Sequence, residues 1–230
     1  MLKAVFCDFY GTVVFEDDEP ISIILEKIFQ SGNAESKKEI GAFWWQRFST
    51  LCKNSFGNTF RTQRELEIQS LAETLERFGV EDDAVRLSEP QFSYWKEPPI
   101  FADSKAFFAK CPVPIYIVSN IDTADLISAL NFHELKPESV VTSEKARAYK
   151  PRSEIFLYAL QKFELKPHEV IHICDSITSD VMGSNAASIR SIWLNRKNKQ
   201  ASSEVNMQAS DLHEALKILV QVKKIRINLV

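Results

Sequence analysis

Cysteine is sparse in this sequence of 230 residues, and what there is stands unpaired. Cys7, Cys52, Cys111 and Cys174 form no CxxC pair and none of the spacings that hold zinc. A disulfide scaffold is thereby excluded, and a reducing cytoplasm is the expected setting. A long basic run is missing too. Lys and Arg number 28 against 31 Asp and Glu, for a net charge of -3 and a pI near 5.9. A nucleic-acid backbone finds no electrostatic partner here. Lys223, Lys224 and Arg226 make only a short patch, read as a solvated helix end. No apolar stretch reaches transmembrane length, and the first residues lack the shape of a signal peptide, so neither a membrane nor export is expected. The chain has no internal repeat and no low-complexity tract. His133, His168, His172 and His213 are scattered and form no motif, so each is read as structural or solvated.

What is present is a globular composition, 45% hydrophobic and 26% charged, at a length that suits one α/β domain with a smaller insertion. The apolar run Ala4 to Cys7 ends at Asp8 and a Gly11-Thr12 turn, the pattern of a buried strand. From Pro20 to about Val80 the apolar spacing is helical, in three segments around Ile24, Trp44 and Leu71, with no alternating strand. Glu89 to Pro99 is read as a return linker stopped by Pro98-Pro99. After Ile100 the rhythm changes. Strands at 115–118, 139–142, 170–174 and 189–194 alternate with helices at 104–109, 123–132, 154–163, 180–187 and 211–222, and 195–203 is a polar loop. This predicts a Rossmann-like three-layer α/β/α parallel sheet built from residues 1–15 and 96–230, with residues 16–95 inserted as an α-helical cap.

Ligands of such sheets bind beyond the carboxyl ends of the strands. Those ends carry Asp8, Ser119-Asn120 and Asp175, with Asp180 opening the next helix and Lys150 in a loop before Pro151. Asp8 and Asp175 should lie close together, and two carboxylates in contact need a cation. Magnesium suits an all-oxygen site. Each residue also has a plainer reading. Thr12 can stabilise its turn, Ser119 can cap the helix near Asp122, and Asp180 can cap its own helix with Thr178 or Ser179.

The ordered set Asp8-Phe9-Tyr10-Gly11-Thr12, Val118-Ser119-Asn120, Lys150-Pro151 followed by Ile155-Phe156, and Asp175-Ser176 with Asp180 resembles the four motifs of the haloacid dehalogenase-like (HAD) hydrolases, in the branch with a helical cap after the first strand. The resemblance spans essentially the whole chain. It implies that Asp8 is the nucleophile and forms a covalent aspartyl intermediate. It implies that Thr12 and Ser119 hold non-reacting oxygens and that Lys150 neutralises Asp8 and an anionic small-molecule substrate. Mg²⁺ would be held by Asp8, the Tyr10 carbonyl and Asp175, with support from Asp180. Tyr10 and Asn120 lie on the substrate side, Asn120 to orient its loop. The expected state is a monomer or homodimer.

One position departs from the phosphatase pattern. Where those members place an acid/base aspartate, this chain has Tyr10, a phenol with an ordinary pKa near 10 and a poor base at neutral pH. Three readings stand open: a Mg-dependent phosphatase of small phosphorylated metabolites, a 2-haloacid dehalogenase, whose members carry tyrosine there, and a weakly active binder of phosphorylated ligands. Against the second, the cap arginine is displaced to Arg47 in Phe43-Trp44-Trp45-Gln46-Arg47, Phe156 replaces a tyrosine, and Asp175 with Asp180 has the magnesium-binding form. Phe43, Trp44, Trp45, Phe48 and Phe56 are assigned to the cap core or to a closed apolar pocket.

Overall fold

Every residue of the first apolar run is buried, and it forms β1 (Ala4–Cys7) at the middle of a sheet. The computed structural model describes residues 1–16 and 18–225. Strands β2 (Ile115–Ser119), β3 (Ser139–Thr142), β4 (Val170–Cys174), β5 (Arg190–Leu194) and β6 (Met207–Ala209) complete a six-stranded parallel sheet of order β3-β2-β1-β4-β5-β6. The expected Rossmann-like fold is therefore observed. The chain winds one way through β2 and β3 and the other way through β4 to β6, so the topological switch lies between β1 and β4.

Both faces of the sheet are covered, which is why its strands read as continuous apolar runs. Val5, Cys7, Ile117, Ile171 and Ile173 pack against α5 (Ser104–Lys110), α6 (Thr123–Phe132) and α10 (Leu212–Ile225) through Phe107, Leu126 and Leu219. On the other face Phe6, Val118 and Val141 meet Ile155, Phe156 and Ala159 of α8 (Ser153–Lys162). Cys7 and Cys174 sit in these strands as buried thiols. At the far end Lys223 donates to the Pro112 carbonyl at 2.6 Å, while Arg226 lies outside the described residues.

Between β1 and α5 the described residues form four α-helices: α1 (Asp18–Ser31), α2 (Lys37–Asn54), α3 (Gln63–Arg77) and α4 (Ala84–Lys96). Their shared apolar core holds Ile24, Ile28, Ile40, Trp44, Leu71, Leu75 and Phe78. The segment expected as a linker from Glu89 is instead most of α4. Asp83 caps it by accepting from the Val85 and Arg86 amides, and Pro90 sits inside it. Burial outweighs the proline penalty, because Leu87 joins the helical core while Phe92 and Trp95 enter the core under the sheet. A one-turn helix, α7 (Ser143–Ala146), and β6 were too short to give a periodic signal. The helix expected at 180–187 begins as a wide π-type turn over Ile177–Val181 and becomes α-helical only at α9 (Met182–Ala186).

The helical block is fastened to α6 by charge. Asp122, at the start of α6, accepts from the Gln63 and Arg64 amides at 2.8 and 3.1 Å and so caps α3 rather than its own helix. Arg64 then grips Asp125 with two hydrogen bonds of 2.7 and 2.6 Å and lies over the Phe92 ring. Asp125→Ala strands that guanidinium. Because the Arg64 side chain is 32% exposed, the loss is discounted to about 2 kcal/mol. A urea titration with unchanged slope and a lower midpoint is the expected result, and an unshifted midpoint would show that the pair does not fasten the block.

Candidate active site

The strand register brings the ends of β1, β2 and β4 to one level, since Cys7 lies opposite both Ile117 and Ile173. Asp8 follows β1 and is 6% exposed. Its Oδ1 accepts from the Ser119 hydroxyl at 2.9 Å and from Lys150 Nζ at 2.6 Å. The ammonium of Lys150 also donates to Asp180 Oδ1 at 2.6 Å and to the Val118 carbonyl at 3.1 Å. His172, in the middle of β4, places Nε2 at 2.8 Å from the same Asp180 oxygen. A buried chain of polar contacts thus runs from His172 through Asp180 and Lys150 to Asp8.

Lys150 is held from its backbone as well. Its amide donates to Asn120 Oδ1 at 2.8 Å, and Asn120 Nδ2 returns a bond to the Lys150 carbonyl at 3.1 Å. Asn120 thereby clamps two loops together. Ser119 turns to Asp8 and does not cap α6. Asp180 is spent on Lys150 and His172, while the turn that contains it is capped by Ser176, which accepts from the Ser179 amide at 3.1 Å.

Asp175 follows β4 and lies against the Gly11 turn. Gly11 has a φ of +81°, and a Cβ there would come within 2.5 Å of Asp175 Oδ2. Only glycine combines that backbone with that approach. The Thr12 hydroxyl reaches Asp175 Oδ1 at 3.3 Å, and Trp193 Nε1 donates to the Asp175 carbonyl at 2.7 Å. Among the described residues no lysine or arginine pairs with Asp175.

The electrostatics follow from these contacts. Burial raises Asp8 above the ordinary carboxylate range; Lys150 opposes that and the Asp180 charge adds to it. Burial raises Asp175 further, helped by the charges of Asp8 and Asp180, to about 8. Asp180 feels the same burial, yet Lys150 and His172 outweigh it and keep it below the usual range. Burial also works against the Lys150 charge, and the two carboxylates still hold its pKa above the usual value.

Tyr10 is directed away from a proton-transfer role. Its hydroxyl donates to the Trp95 carbonyl at 2.5 Å, at the end of α4. Tyr10, Asp8, Ser119, Lys150 and Asp175 line one cleft of about 740 Å³, whose outer wall includes Phe15, Trp45, Phe48 and Phe101. Of the aromatic residues singled out in the helical block, Trp44 is buried in the block's own core and donates to Ser70. Phe43 packs against that core, and Phe56 lies outside the cleft under the Arg152 guanidinium. Arg47 binds Glu73 at 2.5 Å and does not line the cleft.

Sequence reasoning missed His172. A histidine within the apolar run Val170-Ile171-His172-Ile173-Cys174 was the available signal, since a buried polar ring needs a partner. It also missed Arg196, which binds Asp103 and donates to the Thr12 carbonyl at 3.0 Å, bracing the motif turn.

The ion arrangement sets opposite outcomes for two substitutions. Lys150→Met leaves buried carboxylates uncompensated and costs about 3–5 kcal/mol at neutral pH. Asp8→Asn keeps the acceptor oxygen for Ser119 and Lys150. Because the raised pKa of Asp8 means that its ionisation costs stability as pH rises, this variant melts at or above the wild-type temperature. Thermal unfolding of both reads the pair, and an Asp8→Asn protein that melts well below wild type would overturn this account of the charges.

Comparison with known proteins agrees with the geometry. Residues 2–188 match the model of the haloacid dehalogenase-like hydrolases. The chain is 30% identical over 112 residues to haloacid dehalogenase-like hydrolase domain-containing protein 3 of Danio rerio, covering 44% of this chain and 43%, under half, of that relative. It is 24% identical over 179 residues to the phosphoserine phosphatase of Thermus thermophilus, covering 74% of this chain and 70% of that one. Two solved structures share the fold. One is the L-2-haloacid dehalogenase of Xanthobacter autotrophicus, with a TM-score of 0.74, 16% identity, and coverage of 96% of this chain and 99% of that one. The other is the magnesium-bound HAD-hydrolase YfnB of Bacillus subtilis, with a TM-score of 0.71, 19% identity, and coverage of 95% and 98%. With a family model matched along most of its length, an aspartate at the switch point and a lysine seated against it, the chain belongs to the haloacid dehalogenase-like hydrolases.

Proposed function

We propose that this chain is a magnesium-dependent phosphomonoesterase acting on small phosphorylated molecules. The observation that carries the reading is Asp175. Lys150 is shared by Asp8 and Asp180, so one buried cation serves three carboxylates, and Asp175 keeps its proton up to about 8. Such a group asks for a further cation. The available donors are all oxygens: the Asp8 and Asp175 carboxylates and the Tyr10 carbonyl, with Asp180 acting behind them through Lys150. That set suits Mg²⁺. When bound, the metal supplies positive charge for the phosphoryl oxygens.

The protein's own groups do the rest. Asp8 Oδ1 is fixed by Ser119 and Lys150, which leaves Oδ2 as the attacking oxygen. A bond forms from Oδ2 to phosphorus, and the ester oxygen departs with the electron pair. Water then attacks phosphorus, the bond to Asp8 breaks, and inorganic phosphate leaves. Lys150 sets its positive charge beside the phosphoryl oxygens, while its own donors and the Ser119 and Thr12 hydroxyls stay on the carboxylates and carbonyl they hold.

A second reading, 2-haloacid dehalogenation, is favoured by Tyr10 alone, because a halide departs without a proton. It is disfavoured by the position of Arg47, which faces Glu73 and leaves no cap arginine in the cleft.

Two experiments test the proposal. In the first, phosphate and chloride release are measured on wild type, Asp8→Asn and Tyr10→Asp, with Mg²⁺ and with EDTA. Asp8→Asn should lose turnover. Tyr10→Asp should raise kcat/KM on alkyl phosphates by about a hundredfold, the value of a placed general acid, with a smaller gain on aryl phosphates. Wild-type chloride release that persists in EDTA, with no phosphate hydrolysed, would transfer the chain to the dehalogenase reading. The second concerns pH. Magnesium must displace the proton that Asp175 holds up to about 8, so apparent affinity should rise up to about tenfold per pH unit below that point and level off above it. Calorimetry in buffers of different ionisation enthalpy would show one proton released near neutrality. Affinity independent of pH would remove Asp175 from the metal set.

A further inference from the structure

We infer that the substrate is an aryl phosphate monoester, its phosphate over Asp8 and its ring against the aromatic wall of the cleft. This rests on the phosphatase reading and adds the chemistry of the leaving group. Two independent observations lead to it.

The first is the fate of Tyr10. Tyr10 lines the cleft with Asp8, and its hydroxyl hydrogen is committed to the Trp95 carbonyl at 2.5 Å. Among the described residues, the remaining carboxylates of the cleft beyond Asp8, Asp175 and Asp180 are Glu16 and Asp18, both exposed at its mouth. With no further buried acid among the described residues of the cleft to serve it, the leaving oxygen departs as its anion. A phenol, with a pKa near 10, does this far more readily than an alcohol, whose acidity is closer to that of water at about 15.7. In the step proposed, Asp8 Oδ2 bonds to phosphorus, the bond from phosphorus to the aryl oxygen breaks, and phenoxide leaves with the electron pair. It takes its proton from solvent. Water then releases phosphate from Asp8.

The second observation is the wall. Trp45 is 67% exposed and Phe15 is 45% exposed, and both line the same cleft as Asp8. Phe15 is braced by Phe101 with ring centroids 3.9 Å apart, and Trp45 by Phe48 at 6.1 Å. Such rigid, solvent-facing rings beside a polar centre are suited to stack a planar group. An acyl phosphate would also leave without a proton, but it would have no use for the wall. The cleft, at about 740 Å³, admits a ring-bearing metabolite.

The test pairs turnover with binding. With Mg²⁺, wild-type kcat/KM on phenyl phosphate should exceed that on glycerol phosphate by at least about a hundredfold, the contribution of the general acid that is missing. Phenylphosphonate and methylphosphonate, which cannot be hydrolysed at Asp8, are titrated into Mg²⁺-loaded Asp8→Asn protein with and without Trp45→Ala. Trp45 is too exposed for its removal to disturb folding. The preference for phenyl over methyl should fall about three- to tenfold on loss of that one aromatic contact. Alkyl and aryl esters hydrolysed within tenfold of one another, or a phenyl preference unmoved by Trp45→Ala, would overturn the inference and leave the phosphatase reading standing. No phosphate ester hydrolysed, with the phenyl preference intact and sensitive to Trp45, would overturn the phosphatase reading and with it the aryl ester as substrate, while keeping the ring site.

Discussion

Lys150 places a single ammonium, buried with its side chain 2% exposed, between the carboxylates of Asp8 and Asp180, and the rest of the site is arranged around that contact. A charged group this deep survives only when its donors are all used. Here the three donors go to Asp8, Asp180 and the Val118 carbonyl. Each partner comes from a different strand end or turn, so the lysine joins the ends of β1 and β2 and the turn beyond β4. The Asn120 clamp on the Lys150 backbone removes the remaining freedom of its loop. The Asp8 carboxylate is therefore oriented by the fold itself.

The same economy explains why the helical block is part of the site. Its contacts with the sheet layers are polar and specific at α3, through Asp122 and Asp125, and apolar at α4, through Phe92 and Trp95. The Tyr10 hydroxyl joins the two regions directly, because the carbonyl it binds belongs to Trp95. A residue in the first motif thus acts as a latch on the block. Trp45 and Phe48 on α2 are carried over the cleft by that attachment, since α2 packs on α3 through the shared core around Trp44 and Leu71.

Most of this architecture was legible as pattern. Parallel strands buried on both faces give apolar runs, so Ala4–Cys7 and Val170–Cys174 were found with their boundaries intact. Polar residues at the ends of such runs marked Asp8, Ser119 and Asp175. What was not legible depended on partners distant in sequence. The part of α4 from Glu89 reads as a linker because Pro90 and the Pro98-Pro99 pair are local stop signals, while the burial of Phe92 and Trp95 that overrides them is tertiary. His172 looked like a stray polar residue because its partner, Asp180, is presented by a π-type turn with no periodic signature. Ser119 and Asp122 both read as caps of the helix that follows them. The structure sends one to Asp8 and the other to α3, and propensity alone cannot distinguish the two outcomes.

Gly11 shows how narrowly the turn after Asp8 is specified. Two separate requirements fall on it. Its φ of +81° favours glycine, although asparagine or aspartate can adopt left-handed backbone at modest cost. The approach of Asp175 is stricter. With the carboxylate oxygens and carbon lying 2.5 to 2.8 Å from where a Cβ would stand, any side chain at all would displace the acid. Asp175 has little room to retreat, because its backbone carbonyl is held by Trp193, which is buried beneath it. The turn therefore brings the Asp175 carboxylate close to Asp8 by omitting atoms rather than by adding contacts. The raised pKa of Asp175 follows first from its burial and then from the Asp8 and Asp180 charges.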